Sequence, residues 1–255
     1  MNKIPITFAL MTTTKGHFGI KTRYKETIQS FNSVLPLSEY SQILAHIKNS
    51  KETEVLNEMI KFLRMRNFDV HVTDGEWSHH NESHQLNYLQ DLYRVAFLTK
   101  NQYIMIIEDD WLINVDDKNL TNHLCDAIKL LEDNPAIVQV RIPRWYNEAD
   151  RINNLKVKHN LDRKSLKINE KFFIHNDYSA NPSIYRTRDL INALTLTLRN
   201  SALPKHVEHG LGEAFKILNY SIFPFACFNP DNVRIGHIGT PIGHEDDVSK
   251  KNIAN

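Results

Sequence analysis

Cysteine is nearly absent: the chain of 255 residues holds two, Cys125 and Cys227, far apart and outside any CxxC spacing. That excludes a disulfide framework and a zinc knuckle, and leaves two reduced, buried thiols as the plain reading. An excess of charge of one sign is missing too. With 31 Lys and Arg against 30 Asp and Glu, the formal net charge of +1 argues against a chain held on nucleic acid or anionic lipid by bulk electrostatics. No apolar run reaches the length of a membrane span. The N-terminal MNKIPITFALMTTTKG carries a short one that ends in a polar, Thr-rich turn without a small-residue cleavage site. A soluble, cytoplasmic protein with no membrane span and no nucleic-acid partner is therefore expected. Internal repeats, low-complexity linkers and an HExxH motif are also lacking.

What is present reads as globular, with 41% hydrophobic and 24% charged residues. Ile4 to Met11 is a compact apolar run closed by Thr12, Thr13 and Thr14, the way a buried parallel strand ends in a polar loop. Helical spacing follows over Arg23 to Val34, a strand over Tyr40 to Ile47, a helix over Glu52 to Arg66, and a strand over Phe68 to Val72. The polar stretch 74 to 84 is expected as loop. Gln85 to Leu98 is expected as a helix with Leu86, Leu89, Leu92, Tyr93 and Ala96 inward, then Tyr103 to Ile107 as strand, Asp117 to Glu132 as helix and Ile137 to Ile142 as strand. Strands alternating with helices predict βαβ units and a mainly parallel, twisted sheet flanked by helices, in one Rossmann-like α/β domain.

After Pro143 the alternation breaks. Residues 144 to 178 are polar and basic and suit an inserted hairpin or extended surface segment. Residues 179 to 186 lead into helices at about 187 to 199 and over Val207 to Leu218, and the tail from Pro230 is polar and Gly-rich. A single domain over 1–255 is expected, with a subdomain boundary near 143.

The feature that asks for a chemical explanation is IMIIEDDWLI, residues 104 to 113. Glu108, Asp109 and Asp110 follow an apolar strand and precede Trp111, Leu112 and Ile113, so the charge lies at a buried edge. Ligands of open α/β sheets bind outside the carboxyl ends of the strands. Adjacent carboxylates raise one another's pKa unless a cation or donor compensates them, and hard oxygen ligands suit Mn2+ or Mg2+.

IMIIEDDWLINVDD resembles the DxD-type signature of metal-dependent glycosyltransferases of the GT-A fold, in the EDD form of the N-acetylglucosaminyltransferase I family. The resemblance covers the order of elements from residue 4 to about 142 and, less fully, the C-terminal third. It implies a nucleotide-sugar-binding half over 1–142 and an acceptor-binding half over 143–255. It also implies a hexosyl- or N-acetylhexosaminyltransferase that uses a nucleotide-sugar donor, a UDP-sugar foremost, and a glycan or other hydroxyl acceptor. Asp110 matches the motif residue that contacts the metal bridging the donor diphosphate, while Asp109 and Glu108 face the ribose, the metal-bound waters or the local hydrogen bonds. Thr12, Thr13 and Arg23 stand where base and phosphate contacts are expected, and equally fit ordinary turn and helix-start residues.

Inverting sugar transfer needs a carboxylate to take the acceptor hydroxyl's proton. Glu208, in HVEHGLGEAFKILN, sits where such enzymes commonly carry that base, with Glu213 in reserve; His209 after Glu208 departs from the common Glu-Asp form. A late His that completes the metal site is matched by His237 in HIG, with His244 as competitor. The spacing of His79, His80 and His84 in HHNESH is read as solvated loop rather than zinc site. Basic residues between 144 and 167 fit a solvated hairpin better than an anion site. Trp77, Trp111 and Trp145 serve either sugar stacking or core packing. Two other readings stay open. One is a nucleotidyltransferase, for which TTTKGHFG is a poor phosphate loop; the other is a non-catalytic sugar- or nucleotide-binding module of the same fold.

Overall fold

A computed structural model describes residues 3–15, 22–77, 82–115, 120–143, 167–175, 178–180, 182–219, 224–229 and 233–237. Its main sheet contains nine strands in the order β3-β2-β1-β4-β9-β6-β10-β8-β7. They are β1 (Ile4–Thr13), β2 (Tyr40–Asn49), β3 (Asp69–Asp74), β4 (Tyr103–Glu108), β6 (Gln139–Arg141), β7 (Lys167–Asn169), β8 (Phe172–His175), β9 (Ser183–Arg186) and β10 (Phe225–Phe228). β3, β2, β1 and β4 are mutually parallel, β9 runs antiparallel between β4 and β6, and β10 is again parallel to β6. Among the described residues only β8 and β9 oppose the common direction, so the expected mainly parallel sheet is what forms.

Helices cover both faces. The α1 face takes α1 (Tyr24–Val34), α2 (Thr53–Arg64) and α4 (Leu120–Asp133), and the other takes α3 (Glu82–Leu98), α5 (Thr187–Arg199) and α6 (Val207–Asn219). Strand alternation sorts the side chains: Ile6, Phe8 and Leu10 of β1 join the α1-face core, and Ala9 and Met11 join the α3-face core. Phe8 anchors the first of these, edge-on to Phe31, Tyr40 and Phe68 at 5.5, 5.3 and 6.2 Å between ring centroids. Such pairs add about 0.5–1.5 kcal/mol each beyond the buried area.

Several expectations need correction. β1 and β2 run two residues further than read, to Thr13 and Asn49, because Thr12 and Thr13 pair in register with Ile47 and Lys48 rather than turning. α3 begins at Glu82, inside the stretch expected as loop. Its core face is Tyr88, Leu89, Asp91, Leu92, Val95 and Ala96, with Leu86 and Tyr93 only half-buried. An apolar template misplaces that face, because Asp91 lies on it. Residues 183–186, read as a lead into a helix, form a strand at the centre of the sheet. Residues 167–175 do form a hairpin, but it joins the main sheet through β8 and β10. Cys125 is exposed and Cys227 buried, so only one thiol is where it was expected. Among the described residues no helix is long and apolar enough to cross a membrane.

Candidate active site

β4 ends at Glu108, Asp109 and Asp110 form a turn, and the chain re-enters extended structure as β5 (Trp111–Val115). β5 pairs antiparallel with β11 (Val233–His237) in a separate two-stranded sheet. This pairing, hidden in a tail that reads as polar and Gly-rich, sets His237 opposite Trp111. The late His is thereby brought, at backbone level, one residue from Asp110. The assignment of its imidazole lies outside the described residues, as do His79, His80, Trp145, His244, the side chain of His84 and the basic residues from Arg144 to Lys164.

Consecutive residues at a strand end face opposite ways, and the three carboxylates accordingly meet different surroundings. Asp109 is 1% exposed and turns to the α1 face. The Thr12 hydroxyl donates to its Oδ2 at 2.6 Å, the Thr22 hydroxyl donates to the same oxygen, and the two hydroxyls lie 3.1 Å apart. Thr12 thus ties the end of β1 to the motif. Glu108 turns to the α3 face, where the Tyr88 phenol donates to its Oε1 at 2.7 Å. Burial, and then the neighbouring Glu108 carboxylate, push the Tyr88 pKa far up, so the phenol stays a donor across any working pH. Asp110 is buried at the turn itself.

Glu208 lies in the first turn of α6, and its Oε1 accepts from the backbone N–H of Ala180 at 3.3 Å and the Ser179 hydroxyl at 3.5 Å. The preceding N–H, of Val207, donates to Gln85 Oε1 at the start of α3. α3 begins beyond the carboxyl end of β3, so Glu208 stands at the same end of the sheet as the motif. Between them lies a layer of buried phenols. Tyr178 and Tyr185 hydroxyls are 3.0 Å apart, and Gln139 Nε2 donates to Tyr185 at 2.9 Å. Burial, Tyr185, Tyr88 and Glu208 all push the Tyr178 pKa up. Glu213 is exposed and paired with Lys216 at 3.1 Å.

Thr13 is buried and its Oγ1 accepts from Lys15 N–H at 3.4 Å, while Arg23, just before α1, reaches Glu26 at 3.5 Å. Arg23, Thr22, Thr14, Lys15, Glu52 and Met59 line a cleft of about 710 Å³ between the starts of α1 and α2. Through Thr22 this cleft adjoins Asp109. Trp111 is buried in the core rather than exposed for stacking, and Trp77 packs against His46 and Tyr88.

Sequence reasoning missed Thr22, Tyr88 and a buried charged group centred on Asp91. The signal for the last was present: His46 and Lys48 alternate with apolar residues along β2, and a carboxylate occupies the apolar stripe of α3. Among the described residues no set of three or more His, Cys, Asp or Glu side chains converges to hold an ion alone. Buried carboxylates and hydroxyls are hard oxygen donors, however, and fit a divalent cation such as Mn2+ or Mg2+ that takes few protein ligands and completes its shell with water and phosphate.

No family model matches the chain, and neither does any curated protein. Its fold does have solved counterparts. GalNAc-T7 with UDP, GalNAc and Mn2+ aligns with a TM-score of 0.51 and 11% identity over 91% of this chain and 43% of that one. TarS 1-349 of S. aureus aligns at 0.42 and 11% identity, over 87% of this chain and 57% of its own. Mannosyltransferase PcManGT from Pyrobaculum calidifontis in complex with GDP-Man and Mn2+ aligns at 0.46 and 9%, over 89% and 55%. The chain spans about half the length of these structures. At such identities the likeness is one of fold: a mixed α/β domain with a mostly parallel sheet, similar to GT-A glycosyltransferase structures.

Proposed function

We propose that the chain is a metal-dependent glycosyltransferase that moves a hexosyl or N-acetylhexosaminyl group, with inversion, from a nucleotide sugar to an acceptor hydroxyl. One observation carries the reading: the carboxylate turn after β4 is tied to the end of β1 through Thr12 and Asp109, and β11 pairs His237 beside it. A fold shared with a structure that holds UDP, GalNAc and Mn2+ supports a UDP-sugar as donor. The EDD form supports kinship with N-acetylglucosaminyltransferase I. The cleft beside Asp109 offers the nucleotide a place, with Thr22 and Arg23 in its wall; Thr13, also assigned to the donor, is buried at the end of β1 outside that wall. A cytoplasmic setting and a glycan acceptor complete the reading.

Asp110 and His237 are the residues assigned to hold Mn2+ or Mg2+, with Asp109 and Glu108 orienting the donor. When bound, the cation neutralises charge that develops on the departing diphosphate. The Glu208 carboxylate accepts the acceptor hydroxyl's proton as that oxygen bonds to the anomeric carbon and the bond to the diphosphate oxygen breaks. Bonds from Ser179 and Ala180 aim this carboxylate, and they support Glu208 over Glu213, whose partner is Lys216.

The test is turnover of a panel of nucleotide sugars with Mn2+, with and without hydroxyl acceptors. Release of nucleoside diphosphate is expected, and Asp110→Ala should lower it about 100- to 1,000-fold. Full activity of Asp110→Ala would remove its metal role. Release of pyrophosphate would make the protein a nucleotidyltransferase, and donor binding without product under any metal or pH would make it a binding module.

A further inference from the structure

Asp91 sits on the core face of α3 with its side chain 1% exposed. It accepts from Trp77 Nε1 at 2.9 Å, from Thr73 Oγ1 at 3.1 Å and from Arg94 Nη1 at 3.0 Å, and pairs with Lys48 Nζ at 2.9 Å and His46 Nε2 at 3.4 Å. Lys48 is 4% and His46 1% exposed at the side chain, so these groups and Asp91 are buried between β2, β3 and α3, with the half-exposed Arg94 reaching in from the surface. Such a cluster is a poor source of stability, since well-packed apolar residues often do as well or better in its place. What it does supply is fixed geometry. Trp77, three residues after β3, is held by its indole N–H on Asp91 while its ring stacks on His46 at 6.1 Å and meets the Tyr88 ring edge-on at 5.0 Å. Tyr88 and Asp91 lie three residues apart on α3 and so share a face. The phenol of that same Tyr88 donates to Glu108.

We propose that the Asp91 cluster is a positioning device for the carboxylate motif: it locks Trp77, Trp77 buttresses the Tyr88 ring, and Tyr88 sets Glu108. The consequence for turnover rests on the glycosyltransferase reading; the mechanical coupling from Asp91 to Glu108 does not. Among the described residues, Asp91 bonds to Thr73, Trp77, Arg94, Lys48 and His46 and not to Glu108. Any coupling between the two therefore runs through the Trp77 and Tyr88 rings, along α3, which carries both Asp91 and Tyr88, or through space.

The experiment is a double-mutant cycle on the full chain, read by urea unfolding. Asp91→Asn and Glu108→Gln are combined in the native background and again with Tyr88→Phe; Trp77→Phe replaces Asp91→Asn if that variant fails to fold. In the native background the joint effect on the unfolding equilibrium should depart from the product of the single effects by more than about threefold. In the Tyr88→Phe background the departure should vanish. Additive effects in the native background overturn the proposal. So does a coupling that survives Tyr88→Phe, which would be a direct repulsion between two carboxylates. Where nucleotide-sugar turnover is measured, Asp91→Asn should lower kcat about 10- to 100-fold with little change in donor KM. A raised KM at unchanged kcat overturns the link to the motif. Intact coupling in a protein without turnover sinks the glycosyltransferase reading and leaves the positioning device standing.

Discussion

On the α1 face of the sheet Asp109 is held by two threonine hydroxyls, small neutral donors from β1 and the segment before α1. On the α3 face its neighbour Glu108 is held by a phenol backed by an aromatic stack and a largely buried cluster of charges. One strand end thus hands adjacent carboxylates to unlike environments, simply because side chains alternate. The difference teaches how rigidity is made. The α1 face relies on short local bonds, whereas the α3 face relies on a network that must be complete, since removing one partner strands a buried charge.

The sharpest way to break this comparison is to remove the network's centre. Asp91→Ala leaves Lys48 charged and unpaired in the interior, and should lower stability by about 3–5 kcal/mol in urea unfolding. Adding Lys48→Met to it should return much of that loss. No return would mean that shape, not charge, governs this face.

Thr12→Val is the matching change on the other face and should cost less, about 1.5–3 kcal/mol, the range for one hydrogen bond to a charged group. Mn2+ with a nucleoside diphosphate should narrow that cost if Asp109 serves the bound donor. A Thr12→Val loss as large as that of Asp91→Ala would erase the contrast between the faces.

This asymmetry was only half visible in the sequence. β1 and β4 could be read because strands buried on both faces are nearly continuous apolar runs, and the half-exposed β3 because Phe68, Val70 and Val72 alternate; the motif could be placed because it follows such an apolar run. β9 could not: Ser183–Arg186 is four residues between Pro182 and a helix, and its partners in β4 and β6 come from distant parts of the chain. β11 hid in the polar tail for the same reason, so the approach of His237 to the motif was expected from resemblance alone. Thr12 and Thr13 read as turn because polarity was taken for exposure, although both are buried. Asp91 was passed over because a search for apolar periodicity has no place for a carboxylate on the inner face of a helix.

Acid should expose the ionic face more gently than mutation. Burial favours the protonated Asp91 carboxyl, but the bonds and charges of His46 and Lys48, with the Trp77 N–H, outweigh it and hold the pKa well below the usual carboxylate range. A depressed folded-state pKa means that the ionised group's stabilisation is whole above the unfolded value of about 3.9, and is lost as pH falls below it toward the folded one. The stability gap between the native chain and Asp91→Asn should therefore still be open at about pH 5. It should then shrink by up to about 1.4 kcal/mol for each pH unit below 3.9. A gap unchanged by acid would show that Asp91 is no better stabilised as an anion in the fold than in the unfolded chain.

The smallest effect is expected where the two loops meet at the surface. Lys15, after β1, pairs with Glu76, after β3, at 3.0 Å, with side chains 60% and 43% exposed. Solvent screens such a pair, and holding two long side chains in place offsets most of its attraction, so Glu76→Gln should change stability by less than about 1 kcal/mol, and less still in high salt. Glu76 precedes Trp77 directly, which makes the substitution informative about the α3 face as well. If Trp77 is fixed from below by Asp91, removing the surface pair leaves its near-ultraviolet circular dichroism unchanged. If that signal collapses with Glu76→Gln, the indole is held from the loop instead, and the buried cluster loses its part in setting Glu108.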